Sequence, residues 1–373
     1  MSDAEFEKIT NRAGSGAPNF TYGLNSGGSD SGLAGFAYTA SGTEPSSPAN
    51  GDVWFDTAND KYYTYINGEF KQLTHVNAAT LVDGGDRGIY AGGDTVATID
   101  YYAISTLGNA ADFGDLVDEA KYAAAASDGT RGFVMGGISS GSTYNAHIDV
   151  ITIGTTGNAT DHGDLVNDMK YGAGNCDGTY VVVAIGDRQA SIVNDVDRFT
   201  AATASNATDH GNLTIARSYM GGQITDGTWG LVYGGMNGGS RYRDIEYLVL
   251  ATTGNATVFG DVNNSTYYMC GTSNNVRGVI HRTTSGGVSN VLEYVTINTT
   301  GDAADFGDLT RTHNNLAACA NLAGRAVFMG GYFASSPYKS DTMDYVDINT
   351  LGNAADFGNL TAINREGSGF SGD

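Results

Sequence analysis

Short apolar runs alternate with glycine- and aspartate-rich turns over most of the chain, and one loop sequence returns six times among them. Its copies are GNAADFGDL (108–116), GNATDHGDL (157–165), SNATDHGNL (205–213), GNATVFGDV (254–262), GDAADFGDL (301–309) and GNAADFGNL (352–360). The aromatic or imidazole residue at the centre of each copy recurs about every 49 residues. A fixed period of this length indicates an array of similar structural units.

A second set of positions repeats in the same phase and predicts a strand. An acidic residue opens a short apolar segment in every unit: Asp100, Asp149, Asp197, Glu246, Glu293 and Asp344. The residues two and four positions later are apolar in all six copies, whereas the residue between them is more polar. This alternation is typical of a strand that buries one face.

Two further strands precede this one in each unit. The first is a soft segment such as KYAAAAS (121–127), which the Asp128-Gly129 turn joins to the second. The second is a nearly continuous apolar run that ends in a glycine pair, in RGIYAGG (87–93), RGFVMGG (131–137), WGLVYGG (229–235) and RAVFMGG (325–331), with degenerate copies YVVVAIG (180–186) and RGVIHRT (277–283). With the repeated loop segment as a fourth strand, each unit predicts a four-stranded antiparallel sheet.

Four short strands per unit fit the blade of a β-propeller, because a sheet this small buries both faces only by stacking on neighbours. We therefore predict an all-β chain with a six-bladed propeller over residues 74–373. A β-solenoid is the alternative, although its coils are usually shorter. The tail 361–373 matches the start of a blade, so we expect it to close the ring, either as an added strand of the first blade or in place of residues 74–85.

The first 73 residues lack the repeat and divide into two parts. Residues 11–49 are rich in glycine, serine and alanine, and residues 1–45 are predicted to form an extended N-terminal arm. Residues 46–73 predict a small three-stranded β meander, with strands at Val53–Asp56, Lys61–Ile66 and 69–73. The turns lie at 58–60 and at Asn67-Gly68, a pair that favours a type I′ turn.

Charge and composition exclude several classes of function. The net charge is −22, which disfavours direct binding to nucleic acid or to anionic lipid. No apolar stretch approaches the ~18–20 residues of a membrane helix. The N-terminus has neither a basic segment nor an apolar core, so no signal peptide is expected. Cys176, Cys270 and Cys319 lie far apart and are interpreted as buried apolar residues.

The chain offers little catalytic chemistry. His162 and His210 replace the repeated phenylalanine and are therefore expected to fill a packing position. No metalloprotease, Ser-His-Asp or phosphate-loop pattern is present. We predict no catalytic residue, no metal site and no cofactor.

Two sets of oxygen ligands carry alternative interpretations. The six acids that recur from Asp100 to Asp344 could form structural hydrogen bonds with arginines of the adjacent strand (Arg87, Arg131, Arg277 and Arg325), or they could form a cation-binding ring. Asn109, Asp112 and Asp115 resemble a calcium-binding set. The loop acids change between copies, however, so an obligatory metal is not expected.

A ligand surface is most naturally placed on the variable loops 138–147, 236–243 and 332–341, because the blades supply a constant frame. Five aromatic residues of these loops are candidate ligand-binding residues that could stack on sugar rings: Tyr144, Tyr242, Tyr332, Phe333 and Tyr338. The alternative is that they anchor their own loops.

The meander resembles a module of tail-fibre and other appendage proteins of tailed bacteriophages. The matching residues are Pro48, Gly51, Asp52, Val53, Trp54, Phe55, Asp56, Thr57, Tyr63, Asn67 and Gly68. The repeats are similar to kelch-like propellers of phage structural proteins, although the tyrosine and tryptophan that usually follow the kelch glycine pair are not kept.

The resemblance implies a non-enzymatic virion protein, assembled in the bacterial cytoplasm and released by lysis, with a tail fibre as the first expectation. Residues 1–45 would attach to other virion proteins, and the propeller would face a host-surface glycan or protein receptor. A homotrimer is compatible with this class, and no heptad pattern requires one. The alternatives are a head-decoration protein without a receptor role and a glycan-active enzyme on the same scaffold.

Overall fold

The computed structural model describes residues 38–48, 52–56, 61–66, 69–72, 85–94, 96–140, 142–189, 191–283 and 287–372. The chain divides into two compact units, Met1–Thr80 and Leu81–Asp373. Residues 1–37 of the predicted arm, the predicted turns at 58–60 and 67–68, and segment 74–84 lie outside the described residues.

The N-terminal unit contains one four-stranded sheet. Its strands are β1 (Tyr38–Ser41), β2 (Val53–Asp56), β3 (Lys61–Ile66) and β4 (Glu69–Gln72), in that order across the sheet. The three predicted strands are confirmed, and β1 adds a fourth that pairs in parallel with β2. Trp54 explains the addition: its indole stacks on Tyr63 at 4.9 Å between ring centroids and donates a hydrogen bond to the Ser41 carbonyl (3.1 Å).

The second unit is a six-bladed β-propeller, as predicted. Blade 1 contains β5 (Arg87–Ala91), β6 (Thr98–Ala103) and β7 (Ala111–Asp115). Blade 2 contains β8 (Ala124–Ser127), β9 (Arg131–Met135), β10 (Asn145–Thr152) and β11 (Thr160–Met169). Blade 3 contains β12 (Ala173–Cys176), β13 (Tyr180–Ala184), β16 (Asp195–Thr200) and β17 (Thr208–Asn212), with a short hairpin of β14 (Asp187–Arg188) and β15 (Ser191–Ile192).

The remaining blades follow the same plan. Blade 4 contains β18 (Gly221–Thr225), β19 (Trp229–Tyr233), β21 (Ser240–Val249) and β22 (Thr257–Thr266), and β20 (Met236–Asn237) extends it beside β21. Blade 5 contains β23 (Cys270–Ser273), β24 (Arg277–His281), β25 (Ser289–Thr296) and β26 (Ala304–His313). Blade 6 contains β27 (Ala317–Ala320), β28 (Arg325–Met329), β29 (Ser340–Asp347) and β30 (Ala355–Asn364).

The C-terminal strand β31 (Ser368–Ser371) closes the ring. It pairs antiparallel with β5 and becomes the innermost strand of blade 1, with Phe370 opposite Ile89. This confirms that the tail completes the first blade, where it takes the innermost position that the first strand holds in every other blade. Phe370 is buried in the core between blades 1 and 2, where it covers Gly132.

The core lies between neighbouring blades. The apolar positions two and four residues after each acid are buried in every blade, and five of the six residues between them (Ala103, Thr152, Val249, Thr296 and Asp347) are exposed. The repeated aromatic position is also buried in all six blades, including His162 and His210. His162 packs edge-on against Phe133 at 5.1 Å, which fits the predicted packing role.

The six acids join consecutive blades. Each is buried and accepts a hydrogen bond from a backbone N–H in the outermost strand of the preceding blade or two residues after its end, at 2.8 to 3.1 Å. The donor always lies four residues after the repeated aromatic or histidine. The pair that joins blades 6 and 1, Thr361 to Asp100, has the same geometry as the others.

The predicted pairing of these acids with the arginine column is wrong. The strand register places Arg131 opposite Thr152, whereas Asp149 lies opposite Val134. Arg131 instead donates to Asp128 in its own turn (2.6 and 2.9 Å). The other three arginines donate to backbone carbonyls of the next blade: Arg87 to Ile153, Arg277 to Ile348 and Arg325 to Ile104.

The repeated loop forms a second junction between blades. The Asn158 side-chain oxygen accepts the backbone N–H of Asp115 in the preceding blade (3.1 Å), and the other five blade boundaries have an equivalent bond. Gly114 lies so close to this loop that a Cβ there would stand 2.5 Å from the Gly157 carbonyl oxygen. The loop amides and glycines are therefore used for packing blade on blade. Within the described parts of the chain, no group of three or more His, Cys, Asp or Glu side chains is arranged to hold a metal ion.

Candidate functional site: one mouth of the central channel

The connections between blades and the loops between second and third strands all lie at one end of the propeller. This follows from the antiparallel order of the strands, in which the first strand of each blade starts at the same end where the second one finishes. We call this end the loop face. The three variable loops 138–147, 236–243 and 332–341 belong to it.

Six residues at equivalent positions surround the channel opening on the loop face, each two positions before the first residue of an innermost strand. We call them the mouth ring: Tyr122, Tyr171, Tyr219, Tyr268, Asn315 and Glu366. All six have left-handed backbone conformations, with φ between 54° and 65°. This conformation costs a non-glycine residue about 1 kcal/mol or more. Since the chain has 54 glycines and uses none here, the side chains serve a purpose beyond the turn.

Backbone hydrogen bonds join these residues at five of the six steps around the axis. The N–H of Tyr171 donates to the carbonyl of Tyr122 (2.9 Å), and that of Tyr219 donates to Tyr171 (3.1 Å). The same link joins Tyr268 to Tyr219, Glu366 to Asn315, and Tyr122 to Glu366 across the closing boundary. The left-handed turn therefore places each side chain beside its equivalent in the next blade.

The four tyrosine rings form one cluster over the opening. Tyr171 stacks on Tyr219 with 3.7 Å between centroids, and Tyr122 lies 4.2 Å from Tyr171. Tyr268 meets Tyr219 edge-on at 4.7 Å. Burial raises the pKa of the Tyr122, Tyr171 and Tyr268 hydroxyls above the usual range. These phenols stay protonated at neutral pH and are able to donate hydrogen bonds.

The space below the mouth ring is narrow. The opening itself encloses about 80 Å³, and the channel beneath it about 100 Å³. The innermost strands approach closely because glycine and alanine line them, and a Cβ at Gly174 would collide with the Ala125 carbonyl. Sites for drug-sized ligands enclose roughly 300–1,000 Å³. A ligand larger than a few waters therefore does not fit inside the channel, and on this face it would contact the mouth and the surrounding loops.

Five charged side chains form a network beside the mouth ring, where the last blade meets the first. We call them the junction cluster: Asp94, Lys121, Lys339, Arg365 and Glu366. Lys121 binds Glu366 at 2.9 Å and Asp94 at 3.6 Å. Asp94 also pairs with Lys339 and, at 3.6 Å, with Arg365. Burial raises the pKa of Asp94, but the three cations outweigh it and hold that pKa below its usual value.

The predicted loop aromatics lie on this face but do not form one group. Tyr332 and Tyr338 stack at 6.0 Å between centroids, and the Arg365 guanidinium lies 5.4 Å from the Tyr332 ring. They therefore border the junction cluster. Phe333 packs on His313 at 4.5 Å.

The other two predicted aromatics stand elsewhere on the loop face. Tyr144 donates a hydrogen bond to Asp187 (3.2 Å) and lies under Lys170, which also contacts Tyr171 of the mouth ring. Tyr242 lies in β21 opposite Thr266.

Sequence reasoning missed the mouth ring. The signal was present, because Tyr122, Tyr171, Tyr219 and Tyr268 recur with the same spacing as the repeated aromatic loop position. A tyrosine at the start of a soft apolar strand is easily interpreted as part of that strand. Only its left-handed backbone turns the ring toward the axis.

The fold defines the class of the second unit as a six-bladed β-propeller. No protein-family model matches the chain, and no curated protein matches it. Among the described residues no helix is long and apolar enough to cross a membrane.

Proposed function

We propose that this protein is a non-enzymatic structural protein of a tailed-phage virion, a tail fibre whose propeller binds a glycan or protein receptor on the host surface. In this proposal residues 1–45 anchor the chain to other virion proteins, and the loop face of the propeller points outward. The resemblance of residues 46–73 to phage appendage modules supports the placement in a virion.

The observation that carries the binding role is the mouth ring. Four phenols, an amide and a carboxylate converge at one opening, on left-handed backbones that are costly for these residue types. Aromatic faces combined with a few directed polar groups are the usual means of binding a sugar ring or a peptide side chain. The stable ring of blades holds them in place without a ligand.

The charges at the site support a binding role over glycoside hydrolysis. Hydrolysis requires one carboxylic acid that is protonated near neutral pH beside a second, ionised carboxylate. Asp94 and Glu366 both bind Lys121, and the lowered pKa of Asp94 keeps it ionised. Asp94 therefore has no proton to give to a leaving group.

A binding assay with purified bacterial surface polysaccharides tests this function. We expect the full chain to bind at least one polysaccharide and Tyr171→Gly to lose that binding, since glycine suits the local φ of 59° but removes the ring. Asn275→Gly is the matched control, because Asn275 has a φ of 66° at the opposite end of the propeller. If Tyr171→Gly binds the polysaccharide as tightly as the unchanged protein, the mouth ring takes no part in binding. Release of reducing ends from the polysaccharide would show that the protein is an enzyme.

Placement in the particle is tested separately. Antibody raised against residues 81–373 and labelled with gold should decorate the tail tips of intact particles in negative stain. Label on the head would show that the protein is a head-decoration protein and not a tail fibre. Absence of label from the particles would overturn the assignment to a virion.

A further inference from the structure

Positively charged side chains of the loop face stand beside the mouth ring. The propeller has three lysines, Lys121, Lys170 and Lys339, and all three lie in connections of this face. Two of them belong to the junction cluster together with Arg365. Because the cluster combines three cations with two carboxylates, it retains one net positive charge in a chain of net charge −22.

The cationic groups at the outer edge of this cluster are accessible. The Lys339 side chain is 36% exposed and that of Arg365 is 25% exposed, whereas Glu366 is 4% exposed. The carboxylates therefore lie beneath the cations. A ligand that approaches from solvent meets ammonium and guanidinium groups first.

An aromatic platform stands directly beside these cations. Tyr338 is 50% exposed and immediately precedes Lys339, and its ring stacks on Tyr332, which in turn lies beside Arg365. Tyr338 has a left-handed backbone with φ of 64°. The platform and the cations are thus presented on one short segment and its immediate neighbours.

We propose that the junction cluster and the Tyr332–Tyr338 platform bind a sugar residue that carries a carboxylate, as part of an acidic polysaccharide. The apolar face of the pyranose lies on Tyr338, and its carboxylate binds Lys339 and Arg365. This inference rests on the proposed function, in which the loop face binds a host-surface ligand, and it names the chemical class of that ligand.

The two halves of the site select this class together. A neutral sugar stacks on the platform but leaves the excess cation without a partner, and a small inorganic anion meets the cation but has no face to stack. In the free protein Asp94 is the carboxylate that holds Lys339. A ligand carboxylate shares that ammonium with Asp94, so Asp94 opposes binding through charge repulsion.

The test compares two sugars that differ only in this group, methyl β-glucuronide and methyl β-glucoside, in NMR titrations of the full chain. We expect the glucuronide to bind about ten-fold more tightly, because a hydrogen bond to a charged group adds about 1.5 kcal/mol or more. Lys339→Ala should bring the two affinities within about three-fold of each other, and raising the salt concentration should do the same. Tyr338→Ala should weaken both sugars.

Two further variants separate the site from a purely structural ion network. Asp94→Asn removes a negative charge and should tighten glucuronide binding while leaving the glucoside unchanged. Arg243→Ala is the matched control, since Arg243 is another exposed cation of the loop face, paired with Asp261 at 2.8 Å outside the cluster. It should leave both affinities unchanged.

The outcomes distinguish this inference from the function on which it rests. Equal affinity for the two sugars, or weaker glucuronide binding by Asp94→Asn, overturns the carboxylate site and leaves host-surface binding intact. Binding only to neutral polysaccharides does the same. If the full chain binds neither sugar and no polysaccharide, the glycan-binding role in the proposed function fails as well.

Discussion

Replacement of Asp149 by asparagine should stabilise the propeller at high pH. Asp149 is buried at the boundary between blades 1 and 2, where it accepts the N–H of Val117 at 2.9 Å. At the equivalent boundary between blades 5 and 6, Asp344 accepts both the N–H and the hydroxyl of Thr310. Valine has no hydroxyl to offer, so the Asp149 carboxylate is the more poorly solvated of the two. Burial accordingly raises its pKa from 3.8 to about 6.

The size of the expected stabilisation follows from this shift in the pKa of Asp149. A difference of about two pKa units between the folded and unfolded states corresponds to about 3 kcal/mol. Because the folded-state pKa is raised, this contribution to stability is fully present below pH 3.8 and is lost as the pH rises through 6. Asparagine accepts the same N–H without a charge. We expect Asp149→Asn to be more stable than the wild type by about 2 kcal/mol at pH 8 and equal to it near pH 4.

Urea-induced unfolding followed by circular dichroism at pH 4, 6 and 8 measures the effect. Asp344→Asn is the matched control and should gain less, because the Thr310 hydroxyl already solvates that carboxylate. Asp149→Ala should be less stable than Asp149→Asn by about 1–3 kcal/mol, since it leaves the Val117 N–H without an acceptor. A loss of stability at pH 8 in Asp149→Asn would refute the reasoning, because the ionised carboxylate would then stabilise the boundary.

Three other changes test the ring closure, the loop junction and the buried histidines. Phe370→Ala should lower the free energy of unfolding by about 3–5 kcal/mol in urea titrations, whereas the control Leu351→Ala, at an exposed site, should change it by less than about 0.5 kcal/mol. Gly163→Ala should lower the melting temperature, since its Cβ would stand 2.5 Å from the Ser205 carbonyl oxygen, and an unchanged melting temperature would contradict this account of the loop. Burial lowers the pKa of His281 to about 4, so its contribution to stability is present above pH 6.5 and is lost as the pH falls toward 4. Relative to His281→Gln, the wild type should therefore lose stability over that interval in pH-dependent urea titrations, and parallel curves would exclude the effect.

The blade number, the strands and the closing tail could all be predicted from the sequence, because each depends on local pattern. The alternation after each acid predicts a strand in all six units, and the burial of those positions matches it. The tail could be assigned to blade 1 because residues 361–373 repeat the start of a blade. Strand β1 was not predicted, since it depends on the hydrogen bond from Trp54 to Ser41, thirteen positions away.

The sequence by itself determined what each blade is, because strand alternation, turns and period are properties of neighbouring residues. Only the tertiary structure decided which residues of neighbouring blades contact one another. The acids were expected to meet the arginines that begin the second strands. Each instead accepts a backbone N–H from the preceding blade, and only Glu246 and Glu293 pair with an arginine, Arg217 and Arg282, which lie outside that set. The mouth ring and the junction cluster arise in the same way. Tyr122, Asp94 and Lys339 lie far apart along the chain and come together because six blades close around one axis.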